Sequence, residues 1–107
     1  MGSGWNFTPI QSVPGWGISG TFRNLLLSSS GTLYATTHCD GQDSAGSVYE
    51  LVQGAGGTWN YTQLYSFTGG TDGLYSFSNL VTFANRLYGT TNQGGMYGYG
   101  VVFAVLP

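Results

Sequence analysis

Apolar and polar residues alternate through several short runs of this chain, and no run has the three-to-four-residue spacing of an amphipathic helix. The first run is WNFTPIQSV, followed by TFRNLLLS, TLYATTH and SVYELV. Beyond the glycine-rich turn at 54–57 the series restarts as WNYTQLYSF, FSNLVTF, RLYGTTN and YGVVFAV. Each run has the length of a strand, is rich in β-branched and aromatic residues, and is bounded by Gly, Ser, Asn or Asp. Helix-capping patterns are missing. Ser30-Gly31 and Ala84-Asn85 read as tight turns between strands. The apolar run Leu25, Leu26, Leu27 reads as a strand segment buried on both faces.

The restart is a sequence repeat. Trp5-Asn6-Phe7-Thr8 recurs as Trp59-Asn60-Tyr61-Thr62, an offset of 54 residues. Leu33-Tyr34 recurs as Leu87-Tyr88, Thr36-Thr37 as Thr90-Thr91, Gly46 as Gly100, Val48 as Val102 and Tyr49 as Phe103 at the same offset. Asn24-Leu25 and Asn79-Leu80 are 55 apart, so the copies differ by one residue in the turn that follows. The stretch Leu87 to Phe103, LYGTTNQGGMYGYGVVF, is therefore the second copy of Leu33 to Tyr49. The organisation expected is a short leader at 1–4 left by cloning, a first unit at 5–53, a glycine-rich turn at 54–58 and a second unit at 59–107.

Four antiparallel strands recurring with this period are the sequence pattern of β-propeller blades. The fold expected is thus all-β, with four-stranded blades and two blade units per chain. A lone four-stranded sheet cannot bury both faces, and two blades cannot close a ring. The chain is then either an excised piece or a subunit that closes a ring by head-to-tail homo-oligomerisation. Strand phase favours the second reading. Residues 21–67 make one complete blade, the last three strands lack an outer partner, and the first strand is an orphan of that outer type. Inter-subunit strand exchange would join Trp5, Phe7 and Ile10 of one copy to Val101, Phe103 and Val105 of the next. A trimer is the preferred state, with dimer and tetramer as alternatives.

Composition narrows the function classes. Only 6% of the residues are charged, and the cations are Arg23 and Arg86 alone. A net charge of -2 excludes an electrostatic nucleic-acid footprint and argues against an anionic membrane surface as partner. With 19 glycines and 16% aromatic residues, the chain has the look of a turn-rich secreted β protein. Its aromatic and β-branched residues supply the apolar area that a disordered chain lacks. Cys39 is the single cysteine, so no intrachain disulfide forms. No apolar run reaches the ~20 residues of a membrane span, and no signal peptide opens the chain, which reads as soluble.

The second copy resembles the GloVer repeat of bacterial choice-of-anchor tandem-repeat proteins. The likeness rests on Tyr65, Phe67, Gly69, Asp72, Gly73, Leu87 to Thr91, Gly94, Gly95, Gly98, Gly100, Val102 and Phe103. In the first copy His38-Cys39-Asp40 and Pro14 to Gly17 depart from that pattern. The resemblance implies a repeat array of extracytoplasmic or cell-surface origin, of which this chain is an excised or engineered piece. It implies no substrate and carries over no catalytic residue.

Candidate chemistry is sparse. His38, Cys39, Asp40 and Asp43 share one connector and are all metal-ligand types. The other copy has Asn92, Gln93 and Met96 there, so the cluster is no part of the repeat, and a solvated loop with Asx-turns is the preferred reading. His38 and Cys39 are neighbours in an expected strand and point to opposite faces, which argues against a paired nucleophile and base. GGMYGYG precedes a strand and lacks a lysine, so it is no phosphate loop. No metal, cofactor or catalytic group is expected.

The aromatics remain. Trp5 and Trp59 sit at repeat positions and are expected to pack between sheets. Trp16, Tyr75, Tyr97 and Tyr99 fall in connectors, where with Asp72 they could stack on and hydrogen-bond a carbohydrate. Two functions follow as expectations: a non-catalytic structural module that assembles with itself, or a lectin-like carbohydrate-binding module.

Overall fold

Alternation and turn chemistry produce the strands largely where the pattern puts them. The computed structural model describes residues 6–10, 22–38, 42–43, 45–76 and 79–107. Eight strands run through them: β1 (Phe22–Leu27), β2 (Leu33–Thr37), β3 (Ser47–Gln53), β4 (Trp59–Ser66), β5 (Leu74–Ser76), β6 (Val81–Phe83), β7 (Arg86–Gln93) and β8 (Val102–Val105). A single 3-10 turn at Ala55–Gly57 joins β3 to β4. Among the described residues no helix is long and apolar enough to cross a membrane.

The protein is all-β, with two four-stranded antiparallel sheets. The first has the order β1-β2-β3-β4. In the second, β7 is central: β5 pairs its C-terminal half, β6 pairs its N-terminal half, and β8 pairs it from Leu87 to Thr90. The repeat reaches down to strand register. Leu33 faces Leu51 and Tyr34 faces Glu50 in the first hairpin, while Leu87 faces Val105 and Tyr88 faces Ala104 in the second. Every one of these pairs maps onto its counterpart at the 54-residue offset.

Two details of the hairpins explain why the repeat keeps Thr-Thr and a later glycine. The Ser47 amide donates to Thr37 Oγ1 at 3.1 Å, and the Val101 amide donates to Thr91 Oγ1 at 3.0 Å. The second threonine thus closes the base of each connector. Gly46 and Gly100 precede these amides at φ +100° and +103°. A Cβ on Gly46 would lie 2.6 Å from the Thr37 carbonyl oxygen, and one on Gly100 would meet the Thr91 carbonyl oxygen. Only glycine combines that dihedral with that approach.

The core lies between the sheets. Tyr34, Ala45, Val48, Phe67, Leu80 and Leu87 are buried together, with Leu26, Leu64, Leu74, Phe103 and Val105 packed against them. Phe67 is 1% exposed and meets Phe103 edge-on at 5.2 Å between centroids. Burying a side chain of this size contributes about 2–3 kcal/mol. Backbone hydrogen bonds seal the junction: the Phe67 amide donates to the Gly46 carbonyl and the Tyr75 amide to the Ala45 carbonyl, each at 2.9 Å.

Three expectations are corrected. Leu25 and Leu27 are each 66% exposed, so only Leu26 of the triple leucine turns to the core. One face of β1 is uncovered, and alternation sends both outer leucines to it. Of the run FSNLVTF, residues 77–83, only 81–83 pair as a strand (β6) among the described residues, and a separate short strand, β5, precedes the run at 74–76. The two segments lie along the same edge of β7 and together occupy the place β1 has in the first sheet, where the β1–β2 register also shifts between Arg23 and Leu26. Tyr75, expected in a connector, is the middle residue of β5.

Candidate functional site

The second sheet ends in an open edge and an open face. β8 pairs with β7 alone among the described residues, so its outer backbone N–H and C=O groups have no ladder partner there. In the first sheet the equivalent strand, β3, carries β4 on that side with seven paired residues from Ser47 to Gln53. Phe103 and Val105 turn their side chains into the core, which leaves the backbone of β8 as the feature presented at the edge. Val101 lies just before β8, held by its amide to Thr91 Oγ1 and by its carbonyl to the Thr91 amide at 2.9 Å.

The open face is defined by register. Leu26 pairs with Tyr34, Tyr34 with Glu50, and Thr36 with Val48 on the face of the first sheet that the second sheet covers. Their counterparts are Val81 with Tyr88, Tyr88 with Ala104, and Thr90 with Val102. Val48 is 0% exposed and Val102 is 77% exposed, while Val81 is 57% exposed. One repeat position is thus core in the first unit and surface in the second.

At the other end of the chain, residues 6–10 form no strand and are exposed, with Phe7 92% and Ile10 39% accessible. Trp5 and Trp16 lie outside the described residues.

The remaining sequence candidates lie in the second unit. Tyr97 and Tyr99 project from the connector between β7 and β8 at 81% and 91% exposure, beside Met96 at 78%. The loop beneath them is pinned by the Gly95 amide to the Gly70 carbonyl and the Gly100 amide to the Gly94 carbonyl, both 2.9 Å. Tyr75 is half-buried and stacked on His38 at 4.6 Å. Asp72 is engaged within its own turn: it accepts from the Tyr65 hydroxyl at 2.6 Å, the Thr68 hydroxyl at 2.7 Å and the Thr68 amide at 2.9 Å. Burial pushes its carboxyl up, but the bonds from Tyr65 and Thr68 outweigh burial and hold it below the usual carboxylate range. The same bond, aided by burial, pushes the Tyr65 phenol above its ordinary value. Asp72 is thus engaged within its own turn, and that turn abuts the connector carrying Tyr97 and Tyr99 through the bond from the Gly95 amide to the Gly70 carbonyl.

Cys39 and Asp40 lie outside the described residues, and among the described residues no group of three His, Cys, Asp or Glu side chains is close enough to hold a metal ion. Sequence reasoning missed the exposed sheet face, because Val81 and Val102 have the same alternation as the buried positions they repeat. The signal that could have found it is the repeat itself, which puts the same kind of apolar face on both units. No family model, no curated protein and no solved structure matches this chain.

Proposed function

We propose that the protein is a non-catalytic assembly module, whose copies join head-to-tail into a closed β-propeller ring, with three copies the favoured state. The observation that carries this reading is the register equivalence of a buried face in the first unit and an exposed face in the second. Within one chain, the second sheet covers Leu26, Tyr34 and Val48 of the first. The repeated face with Val81, Tyr88 and Val102 calls for an occupant of the same kind, and a second copy of this chain supplies one. The open edge of β8 and the strandless apolar segment at 6–10 complement each other in the same way, since the segment repeats the β4 sequence and β4 occupies that edge in the first sheet. Strand addition would satisfy an edge that otherwise invites uncontrolled pairing.

Light scattering of the purified chain tests the reading. The expected mass is three times the 11.3 kDa of one chain. Deleting residues 1–12 should abolish the ring. A folded monomer at micromolar concentration would sink ring closure, and a truncated chain of unchanged mass would sink the strand exchange.

A further inference from the structure

A second feature lies within one chain, next to the face given above to a second copy. A cleft of about 750 Å³ opens between the two sheets at the end where the β1–β2 and β6–β7 turns meet. Leu27, Tyr34 and Glu50 line it from the first unit, and Phe83, Asn85 and Arg86 line it from the second. The volume falls within the ~300–1,000 Å³ usual for small-ligand sites. We propose that this cleft binds a neutral polyhydroxylated ligand, a mono- or disaccharide.

The argument begins with where the two units differ. Glu50 stands where the other copy has Ala104, and Arg86 stands where it has Thr32. The chain has only six charged side chains, and two of them, both departures from the repeat, line this one cleft. Glu50 accepts a hydrogen bond from the Tyr34 hydroxyl. The carboxylate keeps further lone pairs and the guanidinium keeps its donor fork.

A carboxylate and a guanidinium on one cleft select against ions of either sign, since each repels what the other attracts. Vicinal hydroxyls suit both, donating to the carboxylate and accepting from the fork. Apolar surface from Phe83, 74% exposed, and Leu106, 70% exposed, flanks those polar groups and offers a wall for the C–H face of a sugar ring. The rim is already fixed: Ser28 Oγ and Ser30 Oγ are 2.8 Å apart, and the Thr32 amide donates to Ser28 Oγ at 3.2 Å. A prearranged rim lowers the ordering entropy of binding.

The test is a titration of the intact ¹⁵N-labelled chain, followed by amide shifts. The probes are the methyl glycosides of glucose, galactose, mannose and N-acetylglucosamine, together with lactose, maltose and cellobiose, with glycine and glutamate as zwitterionic comparators. At least one sugar should give saturable shifts at Ser28, Asn85 and Arg86, and Arg86→Gln and Glu50→Gln should each weaken it about tenfold. Arg86 is exposed, so its variant keeps the fold even if the loss of Glu50 disturbs Tyr34. Any of four results would overturn the proposal: no saturable shift at about 100 mM sugar, shifts confined to Met96 through Tyr99, saturation by the amino acids instead of sugars, or unchanged affinity in Arg86→Gln.

Discussion

Asp72 illustrates how a residue chosen for its chemistry can be spent on architecture. Its three hydrogen bonds close the turn that leads from β4 to β5, and the shift of its carboxyl below the ordinary range follows from them. A carboxyl depressed on folding stabilises the protein at pH values above its unfolded pKa, near 3.9, and that contribution fades as pH falls through the folded value. Asp72→Asn should therefore lower stability by about 1 kcal/mol at neutral pH, a figure kept small by solvent screening at this surface turn. The two chains should converge near pH 2. Denaturant melts at the two pH values check this, and an equal gap at both would rule the carboxylate out. The aspartate's role was not legible beforehand, because its partners Tyr65 and Thr68 are set by the path of the turn and not by spacing alone. Thr37 and Thr91 were closer to legible: they recur at the repeat offset, and each accepts an amide across its hairpin.

At the scale of elements, the hairpins followed from the chain and the broken strand did not. β2, β3, β7 and β8 carry clean alternation and recur at one offset, so both their existence and their pairing could be read. β5 could not. Gly73 at φ +118° and Tyr75 at φ +59° interrupt the alternating pattern, and the strand is held in place by pairing with β7 and by the Ala45 carbonyl of the other unit. The fate of Leu25 and Leu27 was equally hidden, since alternation places them on one face without saying whether anything covers it. The turn between β6 and β7 gives a sharper test. Ala84 and Asn85 both have positive φ, +52° and +64°. That is the two-residue turn that prefers Asn-Gly, and a left-handed dihedral disfavours alanine by roughly 1–2 kcal/mol. Ala84→Asn combined with Asn85→Gly should raise stability by about 1 kcal/mol, read as a higher melting temperature. A lower one would mean that the turn is not of this type.

For the whole molecule, the decisive quantity is how much repeated surface lacks a repeated neighbour. Val102 is a core position by register and a surface position by exposure. Val102→Glu should hardly change the stability of an isolated chain, by less than about 0.5 kcal/mol for an exposed site. In the ring it would bury an unpaired charge. The expected outcome is an unaltered circular dichroism spectrum with the mass of a single chain. A variant that keeps the wild-type mass would place the contact elsewhere. The cleft between the sheets escaped a linear reading for a related reason: Glu50 and Arg86 are far apart in sequence, and only the stacking of one unit on the other faces them toward the same space.

The two short backbone bonds from Phe67 and Tyr75 to the Gly46 and Ala45 carbonyls have a consequence for how the chain folds. The acceptors lie in the connector of a local hairpin that can form early, because its strands are close in sequence. The donors belong to the segment that launches the second unit. A formed first hairpin thus presents two fixed carbonyl acceptors to the segment that starts the second unit. Once made, the bonds tie the fates of the two units: neither can open without leaving two carbonyls unsatisfied, and partial unfolding becomes a shared event.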